Sequence, residues 1–327
     1  MSFAPMSFAP MSSAPMSSAA LSPVVFTGRV SDAEAREWIA ALSAALPDMP
    51  VVPLSAADPQ AVEVAVVANP DPAVLRSLPQ VKWVHSVWAG VERLVAELPA
   101  DLPIVRLVDP ELSRVMGEAV LAWTLYLQRD MPAYARQQAA RRWHQRPYRA
   151  PSAVTVGVLG LGHMGLTAAA RLREAGFGVL GWSRTPRKAD IPVFTGEDGL
   201  KALMSQADIL VSLLPATPQT RGLLNAERLG WLPEGAGLIN FGRGTVLDIE
   251  ALLTALDQNL SHAVLDVFVS EPLEATSPLW AHPQVTVLPH ISAPTNVHTA
   301  AQAVADNLRR WRATGDLPLT VDRTRGY

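Results

Sequence analysis

The sequence contains no cysteine. That absence excludes a disulfide framework, a thiolate nucleophile and any cysteine-based metal site. Charge imbalance is also small: 27 basic and 30 acidic side chains leave a net charge of −3 over 327 residues. With no basic field to collect phosphates, the chain is expected neither to bind nucleic acid nor to lie on a membrane surface. No apolar run reaches the roughly 18 residues that a membrane span requires. Metal-ligand spacings such as H-E-x-x-H are missing, and so is a G-x-S-x-G elbow for a nucleophilic serine. What the chain does have is apolar side chain, 49% of all residues, enough to bury a sizeable core. Its length suits about two domains. These observations predict a soluble, cytoplasmic, two-domain globular protein without a metal centre.

The first 20 residues are a decaying five-residue repeat, MSFAP, MSFAP, MSSAP, MSSAA. Units this small bury too little apolar surface to offset their ordering entropy, so a disordered tail is expected. The repeat has neither the basic start nor the long apolar run of a signal peptide. From residue 21 onward, short apolar runs alternate with helical stretches. Strands are expected at 24–26, 62–67, 81–86 and 103–107, with a helix over 32–46 capped by Ser31 and another beginning near Pro72. A long helix over 112–131 comes next, then a basic, aromatic stretch at 140–149 that carries Trp143 and Tyr148. That stretch is short and the whole chain is acidic, so it reads as a solvated or subunit-facing surface. A second β-α-β series runs from 153 to about 289, and a last helix over 295–311 precedes a polar tail. The fold class is therefore α/β: two Rossmann-like doubly wound parallel-sheet domains with a cleft between them.

The strongest local signal is AVTVGVLGLGHMG at 153–165. A β-prone run ends in Gly160, Gly162 and Gly165, which give the G-x-G-x-x-G spacing, and a helix over 166–175 follows, stopped by Gly176. Gly160 would make the tight turn, Gly162 would let the backbone approach a pyrophosphate, and Gly165 would let the helix close on the strand. The helix N-terminus offers N–H groups and a positive dipole end to the phosphates. After the next strand, 178–182, a carboxylate usually holds the ribose hydroxyl of NAD. Here Ser183 and Arg184 stand in its place, with Arg187 and Lys188 close behind. A guanidinium there can pair with a 2′-phosphate, which predicts NADPH in preference to NADH.

Three further groups fall at expected strand ends. Arg243 follows the strand 237–241 between two glycines, Glu271 follows the strand 263–267 that carries Asp266, and His290 follows the apolar run 285–288 and Pro289. Open α/β sheets hold their ligands at that edge. A cation for a carboxylate, a proton donor for a carbonyl oxygen and a carboxylate to orient that donor are what 2-oxoacid reduction requires.

With these motifs in view, the chain resembles the D-2-hydroxyacid dehydrogenase family, and within it the glyoxylate/hydroxypyruvate reductase A branch. The resemblance rests on VGVLGLGHMG at 156–165, WSR at 182–184, LLPATPQTRGLLN at 213–225, NFGRGTVLD at 240–248, DVFVSEPL at 266–273 and LPHISAPT at 288–295. It implies NADPH-dependent reduction of small 2-oxoacids, glyoxylate and hydroxypyruvate first, with His290 protonating the oxygen, Glu271 holding its imidazole and Arg243 gripping the substrate. It places the cofactor on Gly160, Gly162, His163, Met164, Gly165, Ser183, Arg184, Leu214, Pro215 and Thr220, with Asp266 near the nicotinamide amide.

The stretch HSVWAGVERL at 85–94 is similar to the family's carboxylate-binding loop, around Ala89, Gly90 and Val91. Many relatives read Gly-Ala-Gly-Val-Asp there, so Trp88 and Glu92 are departures, and Trp88 beside the substrate would reshape the pocket. A larger 2-oxoacid therefore stays open as substrate, with Trp88 and Asn69 as the deciding residues. A corepressor-like protein that binds dinucleotide without turnover is the remote alternative. The family's architecture implies a discontinuous substrate-binding domain, 21–109 with 292–327, around a dinucleotide-binding domain at 110–291. It also implies a homodimer built on the long helix and the 140–149 arm.

Overall fold

The computed structural model describes residues 22–326, so the expectation for the N-terminal repeat lies outside the described residues. Five short strands near the start of the chain form one parallel sheet: β1 (Val24–Gly28), β2 (Val51–Pro53), β3 (Val64–Ala68), β4 (Trp83–Ser86) and β5 (Ile104–Val105). Their spatial order is β2-β1-β3-β4-β5. All five residues of β3, VAVVA, are buried, as a central parallel strand covered on both faces must be. Val64, Val66 and Ala68 face one core and Ala65 and Val67 the other.

Seven strands form the second sheet: β6 (Thr155–Leu159), β7 (Gly178–Trp182), β8 (Val193–Phe194), β9 (Ile209–Ser212), β10 (Ala236–Asn240), β11 (Leu260–Leu265) and β12 (Val285–Val287). They too are all parallel, in the order β12-β11-β10-β9-β6-β7-β8. The order reverses at β6, and at such a switch point the loops at the carboxyl ends diverge and open a crevice.

The helices, in chain order, are α1 (Asp32–Ala45), α2 (Pro72–Arg76), α3 (Glu92–Glu97), α4 (Pro110–Gln128), α5 (Met131–Ala139), α6 (His163–Glu174), α7 (Gly196–Met204), α8 (Ala226–Leu229), α9 (Ile249–Gln258) and α10 (Val297–Thr314). Helix α1 begins where expected, with the Ser31 hydroxyl accepting from Glu34 N–H at 3.2 Å. Helix α4 crosses to the second sheet and lies on α6, where Gly117 leaves room for Thr167. Helix α10 returns to the first sheet and buries Ala300, Ala301, Val304, Ala305, Leu308 and Trp311 against it. Trp311 meets Trp83 edge-on at 5.7 Å. Both crossings meet at Asp109, which is 4% exposed. One of its carboxylate oxygens caps α4 through Glu111 N–H at 2.9 Å and the other accepts from the Thr299 hydroxyl of α10 at 2.7 Å. Among the described residues, no helix is long and apolar enough to cross a membrane.

Some expectations need correction. The helix expected over 112–131 is two helices, broken where Asp130 adopts φ +55°. Pro132 explains the break: it lacks the N–H and would crowd the carbonyl of Gln128, so it sits in the first turn of α5. The helix expected from 166 starts three residues earlier, at His163. Strands β2 and β8 are too short to carry a period, and sheet pairing alone creates them.

Candidate active site

The turn between β6 and α6 has the geometry its glycines demand. Gly160 has φ +97°, a conformation that side chains disfavour, and a Cβ on Gly165 would overlap the Gly160 carbonyl oxygen. Gly162 has nothing within 4 Å of where its Cβ would lie. It also begins α6 with no side-chain cap, so the first N–H groups of the helix remain for a ligand. This open cradle fits a dinucleotide pyrophosphate.

The turn lines a cleft of about 440 Å³ whose walls come from both units: Ala89, Val91 and Leu107 on one side, Gly162, His163 and Met164 on the other. Ser183, Arg184, Leu214, Pro215 and Thr220 line it as well. Two of these hydroxyls also brace turns. Ser183 donates to the Thr185 carbonyl at 2.6 Å, and Thr220 donates to the Pro215 carbonyl at 2.6 Å.

Arg243, Glu271 and His290 sit in the loops after three adjacent strands, β10, β11 and β12. His290 has φ +54°, and its Nδ1 lies 2.7 Å from Glu271 Oε2. An ionised carboxylate only accepts, so Nδ1 carries the hydrogen and Nε2 faces outward for a ligand. The other oxygen, Glu271 Oε1, accepts from Phe268 N–H at 2.9 Å, which fixes the carboxylate plane. Asp266 is 2% exposed and accepts from Ile291 N–H at 2.7 Å and Ser292 N–H at 2.9 Å. It thus holds the backbone immediately after His290 in place.

Arg243 is seated from three directions. Gly244 packs directly on the Phe268 backbone and Gly242 on Leu214, contacts that leave no room for a Cβ at either glycine. The Asn240 amide spans the turn, donating to the Arg243 carbonyl at 3.1 Å and accepting from Gly242 N–H at 3.3 Å. The guanidinium donates through Nη1 to the Gly242 carbonyl at 2.8 Å. Through Nε it reaches Glu92 Oε1 at 2.8 Å, across the cleft, with both side chains about one-third exposed. Gly90 lies against the guanidinium, again with no room for a Cβ. The N–H groups of Ala89, Gly90 and Val91 donate to no acceptor among the described residues. The loop therefore offers three backbone donors beside a guanidinium, a recess shaped for a carboxylate.

Trp88 does not join that recess. Its ring turns into the first core and meets Trp38 edge-on at 6.0 Å, while its carbonyl accepts from Leu107 N–H at 3.1 Å. Asn69 follows β3 at φ +47° and is exposed. Two residues of the site stand outside the set expected from sequence. Glu92 shows there only as a departure from the usual aspartate, and Asn240, the first residue of NFGRGTVLD, carries the short amide that such a turn favours.

Known proteins resemble this chain over most of its length. The family model for "D-isomer specific 2-hydroxyacid dehydrogenase, NAD binding domain" matches residues 121–292. Glyoxylate/hydroxypyruvate reductase A of Yersinia enterocolitica is 36% identical over 303 residues, covering 90% of this chain and 97% of its own. The crystal structure of a D-isomer specific 2-hydroxyacid dehydrogenase from Xanthobacter autotrophicus Py2, in complex with NADPH and MES, superposes with a TM-score of 0.88 at 40% identity, covering 94% of this chain and all of that one. An NADPH-dependent glyoxylate/hydroxypyruvate reductase from Sinorhizobium meliloti, in complex with NADP and sulfate, gives 0.85 at 34% identity over 94% of this chain and all of its own. The parallel sheets, the glycine turn and the three strand-end loops have the same explanation: the chain belongs to the D-isomer specific 2-hydroxyacid dehydrogenases and is an enzyme of that family.

Proposed function

We propose that this enzyme reduces small 2-oxoacids with NADPH, taking glyoxylate to glycolate and hydroxypyruvate to D-glycerate. The observation that carries the reading is the Glu271–His290 pair, 2.7 Å apart, at the same sheet edge as Arg243 and the glycine turn. When bound, the reduced nicotinamide supplies a hydride to the carbonyl carbon. Arg243 and the backbone donors of Ala89, Gly90 and Val91 hold the substrate carboxylate and orient the carbonyl. As an imidazolium, His290 gives its Nε2 proton to the oxygen as negative charge builds there and becomes the neutral imidazole, with Glu271 holding its Nδ1–H throughout. Asp266 acts on this chemistry by fixing the His290 backbone, and Glu92 acts by fixing Arg243.

Support for NADPH comes from the residues after β7. Ser183 and Arg184 line the cleft where an NAD site places its carboxylate. The relatives named above that were crystallised with a cofactor carry NADPH or NADP. Steady-state rates with each cofactor test the assignment. The expected result is a kcat/KM at least about tenfold higher for NADPH than for NADH, reduced in Arg184→Ala. A preference for NADH contradicts it.

The unit built on the first sheet, together with α10, is the proposed substrate-binding domain, and the unit from 110 to 291 the proposed dinucleotide-binding domain. A homodimer belongs to the same proposal. Residues 142–150 run without helix or strand, and Trp143 on that arm is 99% exposed, an unusual position for an indole unless a second copy covers it. Light scattering on the wild type and on Trp143→Ala tests this: a dimer that weakens in the variant is expected, and a monomeric wild type contradicts it. A cytoplasmic location completes the reading, since a dinucleotide does not cross membranes unaided.

A further inference from the structure

The polar tail after α10 is built into the molecule. Val321 N–H donates to the Ile104 carbonyl at 2.7 Å, which extends the β5 edge, and its side chain is buried in the core below the first sheet. Arg323 donates to the carbonyls of Val95, Leu98, Pro99 and Leu102 at 2.6–3.2 Å. Four carbonyls at and beyond the C-terminal end of α3 make a natural seat for a guanidinium.

Asp322 then closes a tight turn. Its carboxylate accepts from the Thr324 hydroxyl at 2.6 Å and from Thr324 N–H at 2.9 Å, and its carbonyl accepts from Gly326 N–H at 2.8 Å. The Thr324 hydroxyl first, then the Arg325 and Thr324 N–H groups, hold its carboxyl below the usual range. Gly326, at φ +80°, brings the backbone to the loop after β9, where a Cβ would lie 3.2 Å from Thr217 Cγ2. The turn is therefore anchored on the first unit and touches the second. Arg325 and Gly326 line the same cleft as Gly162, Thr217 and Arg243.

The charge lining that cleft points to its ligand. Six arginines and three carboxylates contribute to its walls. The carboxylates are occupied within the protein: Glu92 by Arg243, Glu197 by Arg228, and Asp109 by Glu111 N–H and the Thr299 hydroxyl. Arg325 is tethered to Asp322 through Nε at 3.1 Å, with its side chain 59% exposed. Guanidinium groups outnumber carboxylates around a helix N-terminus, a balance that suits a ligand with several negative charges.

We propose that the C-terminal turn at 322–326 is part of the cofactor site and that Arg325 binds a phosphate of the dinucleotide from the far side of the cleft. This inference rests on the dinucleotide reading above and extends it to a residue outside the nucleotide-binding fold. The phosphate is either the pyrophosphate, common to both cofactors, or the 2′-phosphate of NADPH.

Titration with NADPH and with NADH, followed by nicotinamide fluorescence, separates the possibilities for the wild type and for Arg325→Lys, Arg325→Ala and Arg325→Glu. Arg325→Ala is expected to raise Kd by about tenfold, Arg325→Lys by less and Arg325→Glu by more. A rise for both cofactors assigns the pyrophosphate; a rise for NADPH alone assigns the 2′-phosphate. The melting temperature without cofactor is expected to be unchanged, because the Arg325 side chain is exposed. Unchanged Kd values for both cofactors, or an equal loss in all three variants regardless of charge, overturn the role of Arg325. A wild type that binds neither cofactor overturns the dinucleotide reading itself.

Discussion

At the scale of single residues, the site depends on contacts with no spare room. Gly165 and Gly162 stand three residues apart and predict opposite outcomes. Gly165→Ala drives a methyl into the Gly160 carbonyl and is expected to cost about 3 kcal/mol of stability, read from urea unfolding. Gly162→Ala meets nothing within 4 Å. It is expected to fold like the wild type and to bind cofactor at least about tenfold more weakly, because its methyl occupies the phosphate's approach. Equal stability loss in the two variants contradicts this division of roles. Glu92 gives a second test. With Arg243 held through Nε at 2.8 Å, Glu92→Ala is expected to raise KM for the 2-oxoacid on the order of tenfold to hundredfold. Cofactor Kd is expected to stay constant, and a change in Kd alone removes Glu92 from the substrate side. Much of this scale is legible in the sequence, since glycine spacing and strand-end placement report local backbone needs. The Arg243–Glu92 bond is not, because it joins residues 151 positions apart across the cleft. The orientation of Trp88 is equally hidden: position alone cannot say whether an indole turns to the substrate or, as here, to Trp38.

At the scale of elements, sequence patterning recovers the long, strongly periodic pieces. Helix α1, with its Ser31 cap, and the β6–turn–α6 unit carry their own signals in period and capping chemistry. Strands of two or three residues such as β8 and β2 carry none, and neither does the break before α5 apart from Pro132. Asp109 matters most at this scale, because it caps α4 and bonds Thr299 of α10 where the chain crosses between units. Asp109→Ala loses both contacts and leaves the Thr299 hydroxyl only the longer bond to the Asn296 carbonyl at 3.3 Å. The expected cost is about 2 kcal/mol, measured by urea unfolding, and a loss below about 0.5 kcal/mol would show that the junction is held by packing alone.

At the scale of the molecule, stability is expected to depend on two buried histidines outside the site. Burial pushes His85 down to about 4. Its Nδ1–H donates to the Ser86 carbonyl at 2.9 Å and its Nε2 accepts from the Asn307 amide at 3.0 Å, which suits the neutral ring. His262 is pushed down to about 4 as well, by burial first and then by the charges of Arg136 and His282. The unfolded chain takes up these protons near pH 6.5, the folded chain only near 4. Between those values unfolding binds protons, so stability is full above about pH 6.5 and is lost as the pH falls toward 4. The loss is about 3 kcal/mol per fully buried histidine. Urea midpoints between pH 8 and 4.5 check it, and a flat profile contradicts it.

The central claim is that one chain sets an acid–base pair beside Arg243, at the same sheet edge as its dinucleotide turn, for 2-oxoacid reduction. The most direct measurement follows NADPH oxidation with hydroxypyruvate and with glyoxylate by purified wild type and His290→Ala, with NADPH Kd measured on both. The account predicts turnover by the wild type on at least one of the two acids. For the variant it predicts an unchanged Kd and a kcat lower by about 10²–10⁴-fold. Undiminished turnover in His290→Ala, or a wild type that binds NADPH and reduces neither acid, would contradict it.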